Sequence, residues 1–301
     1  MALPLVVGVD GSESSLTAVD WAVAEAARHG LPLRLVHASL WERYEGGVPA
    51  DGAERPSEQL MAEHVVGSAA ERARRRDPDV KVVTDILPED AVSALLREGQ
   101  DAFALVTGSR GRGELRGLLL GSVGLAVAGR AYCPVVVVRG DRAGVAGTHE
   151  RILLGAGTSD SCGRAAEFGF REAEARGCVL DVVRAWRRPA DVLRPRHRRT
   201  HGRTGGAAAD AAPPGGPEER AAAVLEELLR EAAAGHRAVR VRRATVEGPA
   251  HKVLVERSAA ADLVVVGARR AAGHFGLQLG RTGHTLLHHA QCPVAVVPQQ
   301  V

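Results

Sequence analysis

Residues 5–39 read LVVGVDGSESSLTAVDWAVAEAARHGLPLRLVHAS. The segment opens on a short apolar run over 5–9, which reads as a strand. Leu16, Val19, Val23 and Ala26 then recur at helical spacing, and Gly30 supplies a natural helix stop. A second apolar run, Leu33–Ala38, follows at once. Strand, helix and strand at this spacing form a βαβ unit, whose crossover lays the two strands parallel.

The alternation continues outward. Helices are expected over Ser57–Arg76 and Ala91–Glu98 and across residues 123–129, and strands over 80–85, 104–107 and Val135–Val138. A second copy begins at residue 151 with RILLGAGTSDSCGRAAEFGFREAEARGCVLDVVRAW. Gly8 and Gly155, like Gly30 and Gly177, stand 147 positions apart. Gly108, Cys133 and Pro134 precede Gly267, Cys292 and Pro293 by 159 positions, which places a 12-residue insertion between these anchors, near 187–217. The insertion carries seven arginines by Arg203 and then turns to glycine, alanine and proline; it reads as a disordered surface loop. Residues 140–149 read as a linker. The fold expected is α/β: two tandem doubly wound, Rossmann-like parallel-sheet domains, 1–140 and 150–301, each burying its own core.

Composition narrows the function. Aromatic residues make up 3% of the chain, too few for base-stacking platforms, and a formal charge of +3 gives little attraction for a polyanion, so no nucleic acid is expected. No run of 18 apolar residues suggests a membrane span, and strand-like sequence begins without a basic leader, so a cytoplasmic location is expected. Cys133, Cys162, Cys178 and Cys292 form no C-x-x-C pair and read as reduced structural thiols. The only lysines, Lys81 and Lys252, do not follow a glycine-rich loop, which excludes a Walker-type phosphate loop. No G-x-G-x-x-G follows the first strand, and no G-x-S-x-G elbow is present. His284 and His288 have the spacing of a zinc pair on a helix, beside His289, but no H-E-x-x-H glutamate accompanies them.

One constellation points to a ligand. In VTGSRGRGELRGLLLGSVG, residues 106–124, glycines fall as Gly108-x2-Gly111-x9-Gly121-Ser122. Gly108 and Gly111 allow unusual backbone angles and close ligand approach, with backbone N–H groups forming an anion nest. Gly121-Ser122 precedes a helix whose N-terminus suits phosphate, and Ser122 can donate a hydroxyl or cap the helix. Arg110 and Arg112 are either phosphate-neutralising or solvated. In doubly wound folds ligands bind at the carboxyl ends of strands, where Asp10, Ala38 and Gly108 all stand. Asp10 either holds a metal bridging to phosphate, bonds a hydroxyl or base edge, or caps the next helix with Ser12 or Ser14.

This run, with the CPVVVV after it and VVGVDGSESS near the start, resembles the universal stress protein family, whose ATP-binding members carry G-x2-G-x9-G-[ST]. The resemblance spans both halves. It implies contacts from Gly8, Val9 and Asp10, an adenine contact at Ala38, and phosphate and ribose contacts from Thr107, Gly108, Gly111, Gly121, Ser122 and Val123. It also implies ATP with Mg or Mn, and pairing through the last strand, which a tandem chain can satisfy internally as a pseudo-dimer; a further homodimer stays open. The second copy departs from the pattern: Gly157 replaces Asp10, Arg270 replaces Gly111 and Arg281 replaces Ser122. An ATP-binding stress-response protein follows, with the nucleotide in the first half and a structural pseudo-partner in the second. No catalytic or metal-ligating residue is assigned. The alternatives are a nucleotide-independent interaction module and a slow metal-dependent ATPase.

Overall fold

The computed structural model describes residues 2–40, 57–110, 121–157, 162–188, 216–269 and 279–299. Strand β1 (Leu5–Gly8) leads into α1 (Glu13–His29) and β2 (Leu33–Ala38). Then come α2 (Ser57–Arg76), β3 (Val82–Leu87), α3 (Ala91–Glu98), β4 (Ala104–Gly108), α4 (Ser122–Arg130) and β5 (Val135–Val138). A short helix, α5 (Arg142–Ala146), stands in the expected linker, its N-terminus capped by Asp141, whose carboxylate accepts from Gly144 N–H at 2.8 Å. The second half repeats the order with β6 (Arg151–Gly155), α6 (Gly163–Arg176), β7 (Val179–Trp186), α7 (Pro217–Gly235), β8 (Arg240–Glu247), α8 (Ala250–Arg257), β9 (Leu263–Arg269), α9 (Arg281–His289) and β10 (Val294–Gln299). The third strand lies two residues beyond its expected start, because pairing with β2 sets its register from Val82. Most of the insertion, 189–215, lies outside the described residues.

The ten strands form one sheet in the order β3-β2-β1-β4-β5-β10-β9-β6-β7-β8. Every neighbouring pair is parallel except β5 and β10, which run antiparallel with Val137 opposite Val294 and Val135 opposite Val296. Strands covered on both faces read as continuous apolar runs, as in the four valines of β5, all buried. The cores differ from the expectation of one per half. On one face α1, α2, α6 and α7 share a continuous apolar cluster, and on the other α3, α4, α8 and α9 share a second. Each crosses the β5–β10 seam, because one uninterrupted sheet gives both halves common faces. All four cysteines are free and buried, and burial pushes the Cys133 thiol up to about 11.

Residues at equal offsets do matching work in the two halves. Helices α1 and α6 both end on a left-handed glycine, Gly30 with φ 62° and Gly177 with φ 63°. Arg34 of β2 pairs with Glu98 at 2.9 Å, and at the corresponding positions Asp181 of β7 pairs with Arg257 at 3.4 Å, so the charges are exchanged.

Antiparallel pairing at the seam brings α1 against α6, and there Glu25 and His29 meet their own counterparts, Glu172 and Arg176. Arg176 Nη2 lies 2.7 Å from Glu25 and 3.2 Å from Glu172. His29 Nε2 lies 3.2 Å from Glu172 and 3.5 Å from Glu25. Arg28 Nη1 also donates to Glu25, at 2.8 Å. Burial and the Glu25 charge push the Glu172 carboxyl up to about 7. Burial opposes ionisation of Glu25 as well, but Arg176, followed by hydrogen bonds from Glu172 and His29, holds it well below the usual carboxylate range. For His29, burial opposes the charge, yet the two carboxylates outweigh it and raise the imidazole to about 9.

The sign of the pH dependence follows. Glu172 and His29 both bind protons more tightly folded than unfolded, where 4.5 and 6.5 are their ordinary values. Each contributes fully below its ordinary value, and the contribution is lost as pH rises through about 7 and about 9. His236, raised by Glu174 and Glu167 against the pull of burial, acts in the same direction. Glu25 acts oppositely, losing its contribution as pH falls below the ordinary carboxylate range. The melting temperature is expected to fall by several degrees between about pH 6 and about pH 9.5. Glu172→Gln should flatten the part of that fall near neutrality. A flat or rising profile in scanning calorimetry would contradict this account.

Candidate functional site

The strand order reverses between β1 and β4, since β1 connects to β2 on one side and the chain returns to β4 on the other. At the carboxyl end of β1, Val9 N–H donates to the Val36 carbonyl at 2.9 Å, carrying the chain one residue past the strand beside β2. His37 Nδ1 lies 2.7 Å from the Val9 carbonyl; only an acceptor is available there, so Nδ1 is the protonated nitrogen. Ala38, the last residue of β2, is half-buried beside this edge.

Asp10 braces the turn into α1. Its Oδ1 accepts from Ser12 N–H at 3.0 Å and from Ser12 Oγ at 2.6 Å, while Ser12 caps the helix by accepting from Ser15 N–H at 3.2 Å. Of the three roles open to Asp10 in the sequence, helix capping through Ser12 is thus present.

Gly108 needs to be glycine for space. Its φ lies outside the left-handed region, contrary to the expectation of unusual angles. A Cβ there would sit 2.4 Å from Ser14 Oγ and 2.6 Å from the Ser14 carbonyl oxygen. The end of β4 is therefore pressed onto the first turn of α1. Just beyond, Arg110 N–H donates to Ser14 Oγ at 3.0 Å, and Gly121 N–H donates to the Ser109 carbonyl at 2.8 Å. The two described ends of the glycine loop are tied together, and one is tied to α1. Gly111 and Arg112 lie outside the described residues.

Gly121, not Ser122, is the N-cap of α4, so of the two roles offered for Ser122, hydroxyl donor or cap, the capping one falls away; Ser122 is the first helical residue and is exposed. Among the described residues no side chain caps this end, and the first helical hydrogen bond is from Leu125 N–H to the Gly121 carbonyl at 3.2 Å. The N–H groups of the first turn, including Val123, are therefore left for another acceptor. Thr107 is buried, with no hydrogen-bond partner for its Oγ1 among the described residues. An orphaned buried hydroxyl, an uncapped helix start and a pinned loop together suit an anionic ligand.

The second half keeps the scaffold of this site and loses its polar groups. Ala156 N–H donates to Val183 at 2.9 Å, as Val9 does to Val36. Arg184 stands where His37 does and donates to the Ala156 carbonyl at 3.0 Å. Gly157 takes the place of Asp10, Val266 that of Thr107 and Arg281 that of Ser122; Arg270 lies outside the described residues.

His284 and His288 lie with ring centroids 4.6 Å apart and ring planes tilted by 30°, and no third metal ligand joins them among the described residues. The one cluster of three potential metal ligands among those residues is Glu25, His29 and Glu172, where Arg176 already answers both carboxylates. The sequence reading missed that cluster. The offset that aligns Glu25 with Glu172 and His29 with Arg176, combined with last-strand pairing, is the signal that could have found it.

The sequence pattern of the Universal stress protein family matches residues 1–139 and again 148–298, and the chain belongs to that family. Universal stress protein Rv2005c of Mycobacterium tuberculosis is 31% identical over 318 residues, covering 98% of this chain and 97% of the relative. A solved universal stress protein from Archaeoglobus fulgidus shares the fold at a TM-score of 0.66 and 18% identity, covering 99% of this chain and 98% of its own. A universal stress protein solved in complex with cAMP is 28% identical, covers 46% of this chain and 98% of its own, and has a TM-score of 0.36. Among the described residues no helix is long and apolar enough to cross a membrane.

Replacing Gly108 by alanine should force Ser14 away and break the Arg110 contact. We expect a destabilisation of about 1–3 kcal/mol, read as a lower urea midpoint. Replacing Gly30, whose added Cβ would meet nothing within 4 Å, tests backbone strain alone. An unchanged midpoint for Gly108→Ala would contradict the close approach.

Proposed function

We propose that the first half binds ATP at the carboxyl ends of β1, β2 and β4, as part of a stress response, while the second half serves as its structural partner. The observation that carries this reading is the intact Gly108-x2-Gly111-x9-Gly121-Ser122 spacing on a pinned loop, ending at the uncapped N-terminus of α4. Adenine would lie against Ala38 and the backbone of Gly8 and Val9. The phosphates would take the glycine loop and the first-turn N–H groups of Ser122 and Val123, with Thr107 supplying the hydroxyl that has no partner among the described residues. Asp10, half-buried at the end of β1, is the carboxylate that would face a phosphate-bound Mg or Mn. Such an ion supplies charge neutralisation. No side chain at the described site is placed as a general base for phosphoryl transfer, so the role is binding and signalling.

The second half is read as nucleotide-free because its departures remove the same groups: Gly157 offers no carboxylate, Val266 no hydroxyl, and Arg281 adds bulk at the start of α9.

Mass spectrometry of small molecules released from the purified chain should find an adenine nucleotide. Gly111→Arg and Ser122→Arg, which copy the second half, should each weaken ATP binding by about tenfold or more while leaving the melting temperature near that of the parent. Absence of ATP affinity at about millimolar concentration would sink the proposal and favour a nucleotide-independent interaction module.

A further inference from the structure

A cavity of about 550 Å³ opens where the first half, the linker and the second half meet, and it shares no lining residue with the strand-end site. One wall is a stripe of α1 that includes Trp21 and Arg28; α2 contributes Arg76, the linker Arg142 and Val145, and α6 Arg176. Its size falls within the range of small-molecule sites.

The charges on its walls are unevenly answered. Two acids line it, and one of them, Asp20, is paired with a guanidinium. Asp20 accepts from Arg72 Nε at 2.8 Å and Nη2 at 2.5 Å, and Asp141 accepts from Gly144 N–H at 2.8 Å. Arg28 and Arg176 answer Glu25 beneath the cavity. Arg76 and Arg142 are exposed and have no hydrogen-bond or ion-pair partner among the described residues. Two unanswered guanidinium groups therefore stand at the rim. Deeper in, Arg176 has a side chain only 7% exposed, and its Nε lacks a partner among the described residues. Trp21 and Val145 supply the apolar part of the walls.

We propose that this cavity binds a compact polyanion, a small molecule carrying two or more phosphate or carboxylate groups, and that the bound molecule bridges the two halves of the chain. Guanidinium groups match both anions through paired N–H donors, and a single negative charge would leave one rim arginine unanswered. Arg28 and Arg76 belong to the first half and Arg176 to the second, so occupancy holds the halves together and stabilises the folded chain by linkage. The inference does not depend on nucleotide binding at the strand ends.

The test is calorimetric titration of the full chain carrying Ser122→Arg, which disables the strand-end site, without added nucleotide or divalent metal, using inorganic tripolyphosphate and citrate separately as probes, with melting curves in parallel. The citrate arm distinguishes carboxylate from phosphate ligands. At least one probe should bind and raise the melting temperature. The double variant Arg76→Ala, Arg142→Ala in the same background should weaken that binding by about tenfold or more, with the ligand-free melting temperature unchanged. Failure of both probes to bind at about 10 mM, or unchanged affinity in the double variant, overturns the proposal. Because the titration contains no ATP and uses a chain whose strand-end site is disabled, the two readings fail separately.

Discussion

The antiparallel pairing of β5 with β10 is the contact on which the rest of the structure depends. Every other strand pair is parallel, as βαβ crossovers require, and such strands would leave a valine-rich edge at the end of each half. Joining those two edges removes both and makes one ten-stranded sheet. Reversal of direction at the join relates the halves by an approximate two-fold axis. The cores of both faces then run across it, and Arg139, at the end of the first half, reaches over to donate to the Leu287 and Ala290 carbonyls at the end of α9.

A two-fold arrangement brings equivalent residues face to face, and that creates a physical problem at Glu25 and Glu172. Two buried carboxylates cannot both ionise without compensation. The halves resolve it by diverging one turn further along their helices, where one has His29 and the other Arg176. Arg176 reaches both carboxylates, which fixes where the permanent positive charge sits and leaves Glu172 to titrate near neutrality. The exchanged pair Arg34–Glu98 and Asp181–Arg257 shows the same freedom at the sheet faces. A duplicated position keeps the interaction while either side carries either charge.

The same divergence separates the two strand-end sites. Backbone geometry at β1 and β2 is repeated at β6 and β7, down to a side-chain donor on the carbonyl that follows the first strand. What differs is the set of groups a phosphate ligand would use. A half can keep its fold without them because β6 and β9 are held by sheet pairing and apolar contact, neither of which involves Gly157 or Arg281. This independence of scaffold and polar groups lets one half lose those groups and keep its fold.

Most of the elements could be read from local sequence, since apolar runs, helical spacing and terminal glycines report on neighbours a few residues away. The glycine spacing marked the candidate site, and the internal offset marked the duplication. Three features lay beyond that reach. Glu25 and His29 look like ordinary polar positions of a helix until α6 is packed on α1. Gly108 suggested a backbone angle, and the requirement proved to be space, set by Ser14 almost a hundred positions earlier. The linker glycines gave no sign of the α5 helix or of the cavity it walls. By itself the sequence determined the repeated βαβ units and the one intact glycine motif, because those depend on short-range periodicity and backbone freedom. Only the tertiary structure decided how the two halves share their cores, their buried charges and the cavity between them, because each arises where residues about 150 positions apart are forced together by a single reversed strand.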